Sequence, residues 1–438
     1  MVPRYAGIKE RGVNMEQPVN KRNISFSPPD ISELEIEYMA EAMRSGWITT
    51  GPRTKLLEKK LASWFTGETV ESTPRTVCLN SATAALELAL RLLGIGPQNG
   101  GDASDEVITC AYTYSASASV IAHVGAKIVL VDCASAPGTI EMDYDALEEA
   151  ITEKTKAIIP VDLAGIPCDY DRIFEIVERK KAVFHPTGEL QQKIGRVAVV
   201  ADAAHALGAS YKGKMIGTVA DFTSFSFHAV KNFTTAEGGA LSWNPIQGID
   251  DARIYHQLQL FSLHGQNKDA FAKAQLGAWE YDIIGLWYKC NMTDIAAAMG
   301  LAQFERYPGM LERRKAMVEK YDAAMKPLGV EVLDHFRAGR TSSLHLYLAR
   351  IPGLDRDGTN ALIIKLAEQG IATNVHYKPL PMHTAYRNLG FDIRNFPNAY
   401  AKFENEVTLP LHTRMNDEDL EWVIRVFSGL VKRQMGDH

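Results

Sequence analysis

The stretch Arg196-Val-Ala-Val-Val-Ala201 decides the fold, because it is a short apolar run followed at once by Asp202-Ala-Ala-His205. A strand that is buried on both faces of a parallel sheet shows such a continuous apolar run. A second strand is predicted over Asp221-Phe-Thr-Ser-Phe-Ser-Phe227, where aromatic and small polar residues alternate, and a polar loop containing Lys231 follows it. Open parallel sheets bind ligands at the carboxyl ends of their strands. Asp202 and Lys231 both fall at such ends.

Similar apolar runs alternate with helical patterns from about Asn23 to Ala240; these runs are Val77–Leu79, Glu106–Thr109, Lys127–Asp132 and Lys156–Val161. The alternation predicts an α/β fold, with a mixed, mostly parallel sheet covered by helices on both faces. Beyond residue 310 the pattern predicts a long helix to Ala324, a strand over His345–Ile351 and a closing helix over residues 417–430. We therefore expect a lead-in over residues 1–22, a large domain over 23–309 and a smaller α+β domain over 310–438.

One segment lengthens the link before Asp202. Residues 179–195 contain Pro186, Gly188 and Gly195 between a predicted helix and the strand that follows. Proline and glycine interrupt regular structure, so a hairpin or loop excursion away from the catalytic edge is expected here.

Composition narrows the class of protein. The chain has 438 residues, of which 46% are apolar, and a net charge of −6 without a basic run, so nucleic acid is not an expected partner. Its five cysteines are odd in number and scattered, which predicts neither a disulfide framework nor a metal site. We find no signal-like start and no apolar run long enough to cross a bilayer, and we expect a cytoplasmic protein without a membrane partner.

The polar residues at the strand ends match the needs of an aldehyde cofactor, pyridoxal 5'-phosphate (PLP). This cofactor requires a primary amine for a Schiff base, a carboxylate at its ring nitrogen and donors for its phosphate. Lys231 can supply the amine, whereas an arginine guanidinium does not lose its proton. Taken singly, Asp202 could cap a helix, Ser226 could be an ordinary strand hydroxyl and His205 a core histidine. Their combination favours the cofactor site.

Three motifs carry a specific resemblance: Asp202-Ala-Ala-His205, Ser226-Phe-His-Ala-Val-Lys231 and Glu237-Gly-Gly239. They resemble the DegT/DnrJ/EryC1/StrS family of sugar aminotransferases, which are PLP-dependent enzymes of fold type I. The resemblance implies that Lys231 forms the Schiff base and acts as general acid and base, and that Asp202 pairs with the pyridine nitrogen. It places His205 near the ring hydroxyl of the cofactor and Ser226 at its phosphate.

Two further segments resemble cofactor-binding parts of the family. Leu79–Leu86 resembles a strand-to-helix phosphate loop, in which Ala82 and Thr83 hold the phosphate-contacting positions. Tyr114 matches an aromatic residue that stacks on the cofactor ring. A plain helix start and a core tyrosine are the alternatives that the residues alone leave open.

Three more segments point to the substrate and to a second subunit. Arg44–Pro52, with Thr49 and Thr50, resembles an N-terminal signature near the substrate, and Gly370–Pro381 resembles the segment that lines the sugar end of the cleft. That segment makes His376, Tyr377 and Lys378 candidate substrate contacts. Trp287–Asp294 resembles a motif of members that aminate C4 of nucleotide-linked 4-keto sugars. The resemblance implies that Lys289 of this motif reaches the cofactor of a partner subunit; Cys290 replaces the usual second tyrosine and leaves the subgroup open.

The function that the resemblance implies is transamination in two halves, from L-glutamate to a nucleotide-linked 4-keto-6-deoxy sugar. The product would serve amino-sugar biosynthesis for a surface polysaccharide or glycoconjugate, and a homodimer would share its active sites. A family member that aminates a cyclitol or another keto substrate is an alternative, as is a non-catalytic regulator that keeps the fold. Members that remove a sugar hydroxyl carry histidine in place of the Schiff-base lysine, so Lys231 argues against that reaction.

Overall fold

The computed structural model describes residues 22–71, 73–268 and 280–435, so the predicted lead-in lies outside the described residues except for Arg22. The helices of these ranges are α1 (Glu33–Arg44), α2 (Pro52–Thr66), α3 (Ala82–Leu92), α4 (Ser115–His123), α5 (Tyr144–Ala150), α6 (Tyr170–Arg179), α7 (Glu189–Ile194), α8 (Asp251–Ser262), α9 (Asp294–Met325), α10 (Arg356–Glu368), α11 (Thr384–Asn388), α12 (Pro397–Glu404) and α13 (Asp417–Met435). The strands are β1 (Thr76–Leu79), β2 (Glu106–Cys110), β3 (Lys127–Val131), β4 (Thr155–Ile159), β5 (Ala198–Asp202), β6 (Ser210–Tyr211), β7 (Lys214–Met215), β8 (Phe222–Ser226), β9 (Gly239–Trp243), β10 (Glu331–Val332), β11 (Arg340–Thr341), β12 (Tyr347–Arg350) and β13 (Glu406–Leu409).

The central sheet has seven strands in the order β1-β9-β8-β5-β4-β2-β3. Strand β9 runs antiparallel to both β1 and β8, and the remaining neighbours pair in parallel. The carboxyl ends of β1, β8, β5, β4 and β2 therefore meet at one edge of the sheet. This architecture confirms the predicted α/β fold with a mixed, mostly parallel sheet.

The sheet is held by apolar cores on both faces. All five residues of β2, β4, β5 and β9 are buried, which explains the apolar runs Val107–Ile108, Ala157–Ile159 and Ala198–Ala201 in the first three of these strands. One core contains Val199 and Ala201 of β5, and the other contains Ala198 and Val200 of the same strand. Successive side chains of a strand point to opposite faces, so a single strand supplies both cores.

A second, antiparallel sheet forms from β10, β12 and β13, in that spatial order with β12 in the middle. Its core also includes Leu362 and Leu366 of α10, and Val423 and Phe427 of α13. The C-terminal part of the chain is thus the α+β unit that the sequence predicts.

Helix α9 joins the two parts without a break, whereas the sequence predicted a helix only from about residue 310 to Ala324. Pro308 lies within it and cannot donate a backbone hydrogen bond to the preceding turn. Tyr307 and Met310, on either side of this proline, are buried in the large core, so tertiary packing holds the helix together. The predicted domain boundary at residues 309 and 310 falls inside this helix and stays a prediction.

Residues 179–195 form no hairpin, but two short helices flank an irregular stretch over residues 184–188 that contains Pro186 and Gly188, where the sequence predicted a loop. A short 3-10 helix spans Lys181–Val183 and α7 follows it. Gln191 of α7 is fully buried; its amide nitrogen donates to the Leu93 carbonyl at 2.8 Å, and its amide oxygen accepts from Thr187 N–H at 3.0 Å. This buried amide packs α7 against the end of α3, and Gly188 and Gly195 lie at the two ends of α7 and not within it.

Candidate active site

A cavity of about 720 Å³ opens at the edge where the parallel strands end. Its volume lies in the usual range for small-molecule sites. The cavity brings together most of the residues that the sequence nominated: Ala82, Thr83, Tyr114, Asp202, His205, Ser226, Lys231, His376, Tyr377 and Lys378. They come from parts of the chain almost 300 residues apart.

Lys231 lies in the loop that leaves β8, where its backbone N–H donates to the His228 carbonyl at 2.9 Å. Burial lowers the pKa of its amine to about 8, although the nearby Asp202 carboxylate acts in the opposite direction. A large part of the amine is therefore neutral near pH 8, which is the form that attacks an aldehyde.

Asp202 ends β5 and is buried. Its Oδ2 accepts a hydrogen bond from Ser117 Oγ at 2.7 Å, and its Oδ1 accepts one from Ala204 N–H at 3.1 Å. Burial raises the pKa of this carboxyl, while both hydrogen bonds favour its charged form. A carboxylate has about four acceptor sites, so two donors leave room for a cationic ring N–H in the cavity.

His205 is fixed as one neutral tautomer. Its Nδ1 accepts a hydrogen bond from Ala164 N–H at 3.1 Å, so the ring proton lies on Nε2, 3.2 Å from the Tyr377 hydroxyl. Burial lowers the pKa of His205 well below its usual value. The imidazole is thus a neutral donor in the cavity wall.

The start of α3 forms a cradle for an anion. Ser81 Oγ caps the helix by accepting from Ala84 N–H at 3.1 Å, and within the described chain the N–H groups of Ala82 and Thr83 have no acceptor. A Cβ atom added at Gly239 would lie 2.4 Å from Ser81 C and 2.5 Å from Ala82 N. Free N–H groups at a helix N-terminus attract phosphate.

Ser226 lies beside this cradle because it is opposite Gly239 in the antiparallel pairing of β8 with β9. The cradle and the Ser226 hydroxyl therefore face the same end of the cavity. These donors, the Asp202 carboxylate and the Lys231 amine meet the three separate needs of PLP.

Tyr114 precedes α4 and is 63% exposed, so it is not the core tyrosine that its sequence also allowed. Its ring centroid lies 5.9 Å from that of Tyr377 across the cavity wall. An exposed aromatic face in a ligand cavity is suited to stacking on a planar ring.

Three nominated residues lie outside this cavity, and they form one cluster. Asn291 Nδ2 donates to Thr50 Oγ1, the Lys289 amine donates to Asn291 Oδ1, and the Thr49 carbonyl accepts from Asp294 N–H at 3.1 Å. Lys289 and Thr49 are exposed. The structure thus joins Thr49, Thr50 and Lys289 to each other and not to the Lys231 site of the same chain.

Asp294 holds this cluster together. Its buried carboxylate accepts hydrogen bonds from Gly51 N–H at 2.8 Å, Thr54 N–H at 2.9 Å, the Thr54 hydroxyl at 2.8 Å and Arg53 N–H at 3.1 Å. Three of these donors are orphan N–H groups at the start of α2, which a carboxylate stabilises. One side chain therefore binds the segment around Thr50 to the segment around Lys289.

Sequence reasoning missed two groups around the cavity. Ser117 donates a hydrogen bond to Asp202 and lies three residues after Tyr114, in the first turn of α4. Its closeness in sequence to Tyr114 could have identified it as a residue of the site. His345 is buried with its ring 4.4 Å from that of His205, and its Nδ1 pairs with Asn232 Oδ1 at 2.8 Å. Nothing in the sequence spacing links residue 345 to the Lys231 loop.

Neither a metal-ligand cluster nor a membrane-spanning helix is found within the described residues. The described residues contain no group of three or more histidine, cysteine, aspartate or glutamate side chains that could hold a metal ion. In the same part of the chain no helix has both the length and the apolar character that a bilayer crossing requires.

Comparison with known proteins gives a consistent result. The model of the DegT/DnrJ/EryC1/StrS aminotransferase family matches residues 29–428. The putative sugar aminotransferase Spr1654 from Streptococcus pneumoniae, solved in its PMP-form, is 56% identical and superimposes with a TM-score of 0.88 over 94% of this chain and 100% of its own. Its PLP-form is 54% identical, with a TM-score of 0.87 over 94% of this chain and 99% of its own.

More distant relatives extend this pattern. The spore coat polysaccharide biosynthesis protein SpsC of Bacillus subtilis (strain 168) is 34% identical over 94% of this chain and 99% of its own length. The structure of Helicobacter pylori PseC, an aminotransferase involved in the biosynthesis of pseudoaminic acid, is 25% identical. It superimposes with a TM-score of 0.80 over 94% of this chain and 100% of its own.

Proposed function

The chain belongs to the DegT/DnrJ/EryC1/StrS aminotransferase family, whose members use PLP, and on that premise we propose that it aminates C4 of a nucleotide-linked 4-keto-6-deoxy sugar with L-glutamate as donor. The amino sugar would enter a surface polysaccharide or glycoconjugate. The observation that carries the proposal is the meeting of Lys231 and Asp202 in one cavity, each partly or fully buried and each with its pKa shifted by that burial.

PLP, when bound, supplies an aldehyde that takes up the amino group and an electron-poor ring that stabilises charge at the reacting carbon. Lys231 would hold the aldehyde until the donor displaces its amine. Its freed amine, whose pKa burial lowers to about 8, would then serve as the base that takes a proton from the donor and as the acid that delivers one to the sugar. Lys231 is thus both the anchor and the general acid–base group.

Asp202 would hold the ring nitrogen in its protonated form. The cation of the ring lowers the pKa of a neighbouring carboxyl and offsets the effect of burial, so cofactor binding and ionisation of Asp202 support each other. Ser117 and Ala204 fix the carboxylate in place while this happens. Ala82, Thr83 and Ser226 would bind the phosphate at the other end.

The nucleotide-sugar part of the proposal rests on the motif around Lys289 and on the names of relatives. Tyr288, Lys289 and the segment Asn291–Asp294 keep the pattern of members that act at C4. Cys290, the departure from it, is buried, and its backbone pairs with Ser262 and Asn80 at 3.0 and 2.8 Å. Relatives named for sugars and for polysaccharide biosynthesis support a sugar as substrate.

A homodimer with shared sites is the second part of the proposal. The cluster of Thr49, Thr50 and Lys289 is a connected, partly exposed unit that takes no part in the cavity of its own chain. Exposed apolar side chains accompany it on neighbouring segments, among them Ile48, Leu56, Tyr288 and Leu286, the last of which is 96% exposed. Such apolar exposure is typical of a surface that a partner covers. We propose that the Lys289 amine reaches the cofactor phosphate of the partner subunit.

We place the reaction in the cytoplasm. All five cysteines are free and buried, which suits a reducing compartment.

The test is an assay of amino transfer with purified, PLP-loaded protein. L-glutamate and a panel of uridine- and thymidine-diphosphate 4-keto-6-deoxy sugars are supplied, and mass spectrometry follows both 2-oxoglutarate and the aminated sugar. We expect both products in equal amounts, and none with Lys231→Arg. Formation of 2-oxoglutarate without any aminated sugar would support the aminotransferase but reject the substrate, and keto cyclitols would then be tried.

A further inference from the structure

His376 lines the cavity beyond the cofactor-binding residues, and its surroundings have no role in the reaction described so far. Asn374 pairs antiparallel with Thr408 of β13, through N–H···O bonds of 3.2 and 2.8 Å in the two directions. This register places His376 directly opposite Glu406. The two residues that face His376 on β13 are therefore Glu406 and Thr408, which lie on the same side of the strand.

A chain of hydrogen bonds runs from Glu406 to the imidazole. Glu406 Oε2 accepts from the backbone N–H of His376 at 2.9 Å, and Oε1 accepts from the Thr408 hydroxyl. Thr408 Oγ1 also lies 2.9 Å from His376 Nδ1. The threonine hydroxyl has a single proton, which it gives to Glu406, so Thr408 must accept the hydrogen bond from His376 Nδ1–H.

The second ring nitrogen of His376 is left for a ligand. Within the described residues Nε2 has no hydrogen-bond partner. The imidazole stacks on the Phe26 ring, with 5.6 Å between the ring centroids, and the backbone carbonyl of His376 accepts from the Tyr112 hydroxyl at 2.9 Å. The hydrogen bond at Nδ1, the stacking on Phe26 and the edge contact with the Tyr377 ring hold the imidazole in one orientation. Burial lowers the pKa of His376 to about 3, so the ring stays neutral and exactly one nitrogen carries a proton.

We propose that Glu406, acting through Thr408, sets the tautomer of His376 and thereby decides whether the sugar end of the cavity presents a hydrogen-bond acceptor or a donor. With Glu406 ionised, Nδ1 is protonated and Nε2 accepts a hydrogen bond from a sugar hydroxyl. Glu406 and Thr408 are positioning residues, and His376 is the substrate contact. Only the identity of the ligand as a sugar rests on the proposed function.

A proton on Glu406 reverses the relay. A protonated Oε1 donates to Thr408, whose own hydroxyl must then donate to His376 Nδ1, and the ring proton moves to Nε2. A glutamine at position 406 locks this second state. Its oxygen still accepts from His376 N–H, and its NH₂ group donates to Thr408.

Both states of Glu406 are accessible near neutral pH. Burial raises the pKa of its carboxyl to about 8, against the hydrogen bonds from Thr408 and His376 and the positive charges of Arg356 on α10 and Arg350 on β12. The charge of Glu406 also helps to raise the pKa of Tyr112 and of Tyr377, and the charge of the Lys231 amine helps to lower the pKa of His376. Well above pH 8 Glu406 is ionised and Nε2 accepts; well below pH 8 it is protonated and Nε2 donates.

The direct test is nuclear magnetic resonance of the PLP-loaded protein with ¹⁵N-labelled histidine, without any sugar present. The chain has 12 histidines, and a His376→Asn spectrum identifies the signals of His376 by difference. We expect the protonated nitrogen to change from Nε2 to Nδ1 as the pH rises through about 8. In Glu406→Gln the proton should stay on Nε2 at every pH, and Thr408→Ser should keep the wild-type change.

A Glu406→Gln spectrum with the wild-type tautomer at high pH would overturn the relay. Thr408→Val removes the linking hydroxyl, so a pH-dependent change that survives in this variant would overturn it as well. Thermal unfolding of each variant verifies that it is folded before its spectrum is interpreted.

A kinetic measurement then tests the ligand. We expect KM for the keto sugar nucleotide to change about fivefold across pH 8 in the wild type, in line with one hydrogen bond gained or lost. Any change of kcat that the titration of Lys231 causes in this range should be the same in the wild type and in the Glu406 variant. In Glu406→Gln this step in KM should vanish. If the tautomer changes but KM is flat in both proteins, the relay stands and its role in sugar binding is wrong; if no sugar is aminated at all, the proposed substrate fails while the spectra still test the relay.

Discussion

Ser117 Oγ, in the first turn of α4, donates a 2.7 Å hydrogen bond to Oδ2 of Asp202 at the end of β5. The bond joins the start of α4 to the end of β5, and the two residues lie 85 positions apart in the chain. It ties the carboxylate to the same segment that presents Tyr114.

Removal of this donor should weaken cofactor binding. A hydrogen bond to a charged group contributes about 1.5–3 kcal/mol, so Ser117→Ala is expected to raise the Kd for PLP by at least about tenfold. Absorbance titration of the apo-protein measures the Kd. Ser119→Ala, on the same helix and without a bond to Asp202, is the matched control, and equal Kd values for the two variants would contradict a role of Ser117.

The pKa of Lys231 gives the capture of PLP a defined pH profile. Because the neutral amine attacks and its pKa is lowered to about 8, the rate should rise with pH up to about 8 and then level off. A free lysine side chain, with a pKa of about 10.4, should keep gaining rate beyond that point. Stopped-flow absorbance follows the visible band. Lys231→Ala should give no such band, whereas Lys378→Ala, from the same cavity wall, should keep it.

Gly239 has no room for a side chain. In Gly239→Ala the new methyl group would meet three backbone atoms, the third being Phe225 O at 2.7 Å, and none of them can move by a rotamer change. We expect a loss of about 1–3 kcal/mol in the free energy of unfolding and weaker phosphate binding, since the start of α3 must shift. Gly429→Ala on α13, where the added atom meets nothing within 4 Å, should instead stabilise by up to about 1 kcal/mol. Thermal and denaturant unfolding compare the two, and a stable Gly239→Ala would contradict the close approach.

If each active site takes residues from both subunits of a dimer, two chains that are inactivated at different residues should restore activity when they pair. In a mixed dimer of Lys231→Ala and Lys289→Ala, one site has lost both lysines and the other keeps both, provided that each site takes Lys231 from one chain and Lys289 from the other. Activity should therefore reappear after co-expression of two differently tagged chains and purification through both tags. Mixed dimers no more active than the Lys289→Ala homodimer would reject the exchange.

The sequence was most informative where local pattern and chemistry coincide. The buried strand β5 reads as an apolar run, and the acid after it could be assigned because carboxyl ends of parallel strands meet at one edge. The same logic located Lys231 and the start of α3. The start of helix α9 was predicted too late, because Pro308 is a local break signal and the packing of Tyr307 and Met310 that overrides it is non-local.

Contacts between distant segments could not be predicted. Glu406 lies 30 residues from His376, and its relevance depends on the pairing of β13 with the segment at 374–376. The bond from Ser117 to Asp202 likewise exists only because α4 starts next to β5 in space. Residues within one motif can be nominated from that motif alone. The residues that contact and orient them lie on distant segments, and only the pairing and packing of those segments in the fold identifies them.

The capture of the start of α2 by Asp294 has a practical consequence for engineering. The segments 49–54 and 287–294 act as one module, since a single buried carboxylate satisfies four donors from the first and begins the helix after the second. A chimaera that exchanges only one of them with a relative would pair mismatched halves and misplace Lys289. Transplants intended to change substrate choice should move both segments together.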